Sequence, residues 1–143
     1  METATLAGMT DATTSDEFAE WDLGSLDGLH ADRFRAEHVG WSLYVDGPPD
    51  GTGESLAQVQ QRASRAVNLA GAFDGTSVVV THGQFIRVMS TVLLDAPLEL
   101  GSRMSCGPGR AALFTRRAGG TYSLTGWNIV APAAPVGFFR ELT

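Results

Sequence analysis

The chain has 143 residues, 43% of them hydrophobic, which suits one compact domain, 1–143, and leaves little room for a second core. Its formal charge of -6 and pI of about 4.9 set a field that repels polyanions, and no basic stripe offsets it, which argues against nucleic acid as a partner. All ten basic residues are arginine, a bias compatible with bidentate phosphate contacts but not diagnostic of them.

A single cysteine, Cys106, rules out an internal disulfide and any cysteine-based metal cluster, and points to a reducing, cytoplasmic setting. The opening "METATLAGMT" lacks a basic start and a long apolar stretch. No later segment reaches the ~18 apolar residues of a membrane span.

In chain order, residues 1–8 read as the end of a helix, closed by Gly8. Residues 13–28, "TTSDEFAEWDLGSLDG", read as a short extended piece and then a glycine-punctuated loop, followed by a modest helix from Leu29 to His38. The stretch "DGPPDGTG", 46–53, is a turn-rich surface loop. Ser55 and Gln58 fit a capping box. Leu56, Val59, Ala63, Ala66, Val67 and Ala70 then recur at helical steps, which predicts a helix to about Ala72 with Gln60, Gln61, Arg65 and Asn68 on a solvated face.

"TSVVVT", 76–81, has the continuous β-branched character of a central parallel strand covered on both faces. The next helix is expected to bury Phe85, Val88, Met89, Val92 and Leu93 and to stop before Pro97. Arg110–Arg117 and Thr121–Val130 read as two late strands joined through "AGG", and the tail "APAAPVGFFRELT" as peripheral.

Chemistry is expected where "SVVVT" meets its helix, because ligands gather at the carboxyl ends of strands, against helix N-termini. His82 there reads equally well as a phosphate donor or acid–base group and as a structural histidine bonded to a carbonyl. Gly83 allows close backbone approach, and the amides of Gly83 and Gln84 are candidates to face an anion. Glu20, beside Trp21, is a candidate general acid, although a surface glutamate next to a core tryptophan is the commoner arrangement. There is no G-x-S-x-G elbow. "GTGES" lacks the lysine of a P-loop, and His30, His38 and His82 have no metal-ligand spacing.

Taken together, "EFAEWDLGSLDGL", "GESLAQVQQRASRAV" and "VVVTHGQFIRVMSTVLLDAP" resemble, in order, three blocks of the histidine phosphatase, or phosphoglycerate-mutase-like, superfamily. The resemblance runs from Thr3 to about Asn128. The "E-W-D-L-G-S" variant is most similar to the actinobacterial mutase-like acid phosphatases.

It implies an α/β fold, a three-layer α/β/α sandwich, here lacking the first, central strand and first helix. It also implies cofactor-independent phosphomonoester hydrolysis on a small phosphorylated metabolite, with no metal. His82 would be the second active-site histidine, stabilising the transferring phosphoryl group. Glu20 would protonate the leaving oxygen, and Gly83 and Gln84 would border the phosphate. The loop from Trp41 to Thr52 lies where family members vary their substrate contacts. Phosphatase rather than mutase chemistry is implied by the "EWDLG" block.

The departure is the absence of any "R-H-G", the motif that carries the family's nucleophilic histidine. The missing part is contiguous, which reads as truncation: a start codon assigned too far downstream, a gene that has lost its beginning, or a fragment. Without the nucleophile, covalent phosphohistidine catalysis cannot proceed. The chain alone is therefore expected to be inactive or weak, and the alternative is a non-catalytic remnant that binds a phosphorylated ligand or a protein partner. A bare ladder beside "SVVVT" would also favour oligomerisation through a sheet edge.

Overall fold

A computed structural model describes residues 2–29, 34 and 36–130. Helix α1 spans Glu2–Leu6, and the Gly8 and Met9 amides turn back onto the Thr5 and Ala4 carbonyls, closing it as expected. Residues 13–28 differ from expectation. The extended piece stops at Ser15, which caps a 3-10 turn over Asp16–Phe18, and a second such turn covers Gly24–Leu26. The loop around Asp22–Gly24 lies directly on Thr52 and Gly53, so close that a Cβ at either Gly24 or Gly53 would collide with the opposite backbone. Of the helix expected over Leu29–His38, Phe34, Ala36 and Glu37 are helical, whereas 30–33 and 35, with His30, lie outside the described residues, as does the tail 131–143.

Helix α2, Leu43–Asp46, forms inside the loop expected between Trp41 and Thr52. Helix α3, Leu56–Gly71, begins where the sequence places it: Ser55 Oγ accepts from the Gln58 amide, and the Gln58 side chain returns to the Ser55 N–H at 2.9 Å. Helix α4 covers Gly83–Leu93, and a 3-10 segment follows from Leu98 to Arg103. The core lies where α3 meets α4: Val59, Ala63 and Ala66 face Phe85 and Val88, all with no exposed surface, and Trp21, Tyr44 and Leu98 close the edges. Each large side chain fully buried in this way contributes about 1.5–3 kcal/mol.

Strands β1, Arg110–Arg116, and β2, Tyr122–Val130, form an antiparallel hairpin, in register from Arg116↔Tyr122 to Arg110↔Val130 with bulges near Leu113. The "AGG" turn closes it, with Gly119 and Gly120 both left-handed. "TSVVVT" is the main correction. It is extended but joins no ladder among the described residues, and only one of its faces is covered. Val79 turns toward the core, while Val78 and Val80 are 59% and 42% exposed. The β-branched run sets an extended backbone, but a ladder requires a neighbouring strand, and the described residues supply none. Between this run and β1 lies a cleft of about 490 Å³, lined by Ser77, Val79 and Thr81 on one side and Ala112 and Phe114 on the other.

Candidate active site

His82 is the last extended residue before α4 and its N-cap, with φ -112° and ψ 167°. Its imidazole is exposed, caps nothing, and has no hydrogen-bond partner among the described residues. The carbonyl-bound alternative is therefore not what forms. Gly83 is exposed as well, with open space where its side chain would be.

The group that caps this helix N-terminus is the chain's own Glu20 carboxyl. Glu20 Oε1 accepts from the Phe85 amide at 2.8 Å and from the Trp21 amide at 3.0 Å, and Oε2 accepts from the Gln84 amide at 3.2 Å. The positive end of the helix dipole and its free N–H groups account for the placement. Glu20 and His82, 62 positions apart in sequence, thus meet on the first turn of α4. The Gln84 amide, expected to face a ligand, is occupied by Glu20. Trp21 does not wall the carboxylate; its indole is buried, stands edge-on to Tyr44 at 5.5 Å, and donates to the Glu54 carbonyl at 2.7 Å.

Arg62 fixes this arrangement, and sequence reasoning passed over it. A guanidinium has five N–H donors, and all five are used. Nε and one terminal nitrogen grip the Glu54 carboxylate at 2.7 Å each, and the remaining donors reach the carbonyls of Glu17 (3.1 Å), Ala19 (2.9 Å) and Glu20 (3.2 Å). The guanidinium also lies 4.1 Å over the Phe85 ring. Arg62 is therefore committed to holding the 17–20 segment on α4 and has no donor left for a ligand. The available signal was its position: it lies three residues after Val59 and four before Ala66, on the flank of the buried stripe.

Tyr44, from α2, reaches the same helix end and donates from its hydroxyl to Gln84 Oε1 at 2.6 Å. Burial pushes this hydroxyl up to about 12, and the positive charge of Arg87 offsets part of the rise. The Tyr44 contact comes from the loop singled out in the sequence, although no residue within that loop was distinguishable there. Ser55 caps α3 as its capping box predicts, and Glu54 beside it anchors Arg62. Two clefts, of about 430 and 490 Å³, lie toward the hairpin end of α4, and neither is lined by Glu20, His82, Gly83 or Gln84. The candidate site is an open, polar surface at the helix start.

The chain belongs to the histidine phosphatase superfamily (branch 1), whose family model matches residues 1–130. It is 39% identical over 107 residues to an acid phosphatase of Mycobacterium tuberculosis (strain ATCC 25618 / H37Rv), a match covering 73% of this chain and 52% of that protein. The chain thus spans about half the length of the curated relative it matches.

A solved structure of an open reading frame product from Mycobacterium tuberculosis matches with a TM-score of 0.80 and 34% identity, over 90% of this chain and 66% of that one. A mycobacterial glucosyl-3-phosphoglycerate phosphatase, solved with inorganic phosphate, matches at TM-score 0.70 and 22% identity over 90% and 70% of the two chains, a likeness of fold. The α/β, phosphoglycerate-mutase-like fold expected from the sequence is the fold of these neighbours.

Proposed function

We propose that this chain carries one half of the active site of a cofactor-independent phosphomonoesterase acting on a small phosphorylated metabolite, and that its 143 residues alone are inactive or weak. The observation that carries this reading is the meeting of Glu20 and His82 on the first turn of α4. His82 donates to a phosphoryl oxygen, and Gly83 leaves room for the group to approach. In the first step a histidine nitrogen attacks phosphorus, the P–O ester bond breaks, and Glu20 gives its proton to the departing oxygen. In the second, water attacks phosphorus, the P–N bond breaks, and Glu20 takes the water proton. Oε2, with one N–H donor, keeps a lone-pair position for that proton.

No second histidine among the described residues is free to attack. His38 hydrogen-bonds through Nδ1 to the Phe34 carbonyl at 3.0 Å and stacks on the Phe34 ring, so it is spent structurally. The "R-H-G" histidine belongs to a first strand that this chain lacks. The extended run at 76–81, unpaired among the described residues and with Val78 and Val80 uncovered, supports that reading, and its free ladder groups also favour self-association of the chain. The single cysteine supports a cytoplasmic setting, and the -6 charge argues against nucleic acid. No helix among the described residues is long and apolar enough to cross a membrane.

The test is p-nitrophenyl phosphate hydrolysis by the 143-residue chain beside His82→Ala, with vanadate as competitor. The expected result is no hydrolysis above the His82→Ala control. Vanadate-sensitive hydrolysis that disappears in His82→Ala would mean that the chain recruits a nucleophile of its own. The second reading, a non-catalytic binding remnant, rests on the same unpaired run and missing motif. It predicts that supplying an "R-H-G" strand restores no turnover.

A further inference from the structure

We infer that Tyr44 is a positioning residue that turns Gln84 into a one-way donor, its side-chain N–H groups offered to an acceptor oxygen of the phosphorylated substrate. The inference rests on the phosphatase reading and adds to it how the site selects its ligand at this position. A glutamine amide has an accepting and a donating end, and in water either can face a ligand. Here the ends are not equivalent. The Tyr44 hydroxyl stands 2.6 Å from Oε1. The phenol has a single proton and gives it to Oε1, so the oxygen of Gln84 is its accepting end and is already engaged. Because burial keeps the phenol protonated to about 12, the direction holds across the whole neutral range.

Tyr44 is itself immobilised. Its ring stands edge-on to the buried Trp21, with planes at 81°, and lies so tightly on Gly101 that a Cβ there would collide with it. The backbone N–H of Gln84 is consumed by Glu20. The donor left to Gln84 is its side-chain nitrogen, which has no partner among the described residues and is not buried. With the exposed His82 and the open Gly83 beside it, this end of α4 offers donors, and an oxygen carrying lone pairs and negative charge is the complement.

The experiment is a titration of the ¹⁵N-labelled 143-residue chain with inorganic phosphate, following the Gln84 side-chain NH₂ and the Gly83 and His82 backbone amides by NMR. Tyr44→Phe and Gln84→Met are titrated in parallel, and thermal melting of each is recorded. The expected result is a phosphate-dependent shift of the Gln84 NH₂ together with Gly83. In Tyr44→Phe the Gln84 response is lost and phosphate affinity falls about tenfold, the size of one hydrogen bond to a charged group, while Gly83 still responds. Gln84→Met, which keeps the Tyr44 ring packing, shows the same fall, and the double variant falls no further. A Gln84 NH₂ that does not move while Gly83 does, or unchanged affinity in Gln84→Met, overturns the positioning role and leaves the phosphatase reading standing. Absence of any response at His82 and Gly83 in the unaltered chain overturns both.

Discussion

Two stretches that adjoin in sequence end in opposite states. Around the start of α4 a docking network is closed, with three amides on Glu20, five donors of Arg62 on the 17–20 segment and Glu54, and the Tyr44 hydroxyl on Gln84, while His82 and the Gln84 side-chain nitrogen stay open. A few residues upstream, Ser77–Val80 is extended, half uncovered, and faces a cleft rather than a strand. The helix end is built from residues this chain supplies, drawn from segments 16–21, 43–46 and 54–62. The run at 77–80, by contrast, finds no partner strand among the described residues. Helix-end packing and strand pairing are thus separable: the polar network around Glu20 and Arg62 is built beside a run that pairs with no strand among the described residues.

Substitutions sharpen that contrast, the largest effect falling on the built side. Arg62→Ala removes every donor holding the 17–20 segment and strands Glu54, so urea denaturation is expected to show a loss of about 3–5 kcal/mol. An effect below about 1 kcal/mol would mean that the network contributes little to folding.

The raised Tyr44 hydroxyl gives a pH signature. Its folded value of about 12 lies above the ordinary 10.0, so the folded chain holds the proton more tightly. The corresponding stability is fully present below pH 10 and lost as pH rises from 10 to 12, at about 1.4 kcal/mol per pH unit. Tyr44→Phe should flatten that slope. An equal slope in the two proteins would contradict the burial that sets it.

On the open side, Val78→Lys with Val80→Lys charges the uncovered face of the run. Sedimentation should show self-association weakened by about tenfold, with folding stability changed by no more than about 0.5 kcal/mol. A large stability loss instead would mean that this face is already covered. The smallest effect on the built side is at the α3 cap, where Gln58→Ala removes one side of the capping box and should cost about 1 kcal/mol.

Periodicity made α3, α4 and the hairpin legible because those elements are set by local pattern: the apolar steps of Val59, Ala63 and Ala66, the Ser55–Gln58 box, the Gly119–Gly120 turn. The run at 76–81 misled where pairing, not pattern, decides the outcome. At the site, His82 was identifiable beside a helix start and Glu20 beside Trp21. That the carboxylate would cap the helix itself, and that Tyr44 would reach Gln84 across 40 positions, were not readable, since both depend on how distant segments dock. Arg62 was readable in principle from its place on the buried stripe.

The most direct test of the half-site claim joins a first strand and phosphate loop carrying "R-H-G", in the family's pattern, ahead of Met1 and measures p-nitrophenyl phosphate hydrolysis. Turnover is expected, falling about 100-fold or more in both Glu20→Gln and His82→Ala. Turnover that is indifferent to those two substitutions would show that the first turn of α4 is not the catalytic half-site.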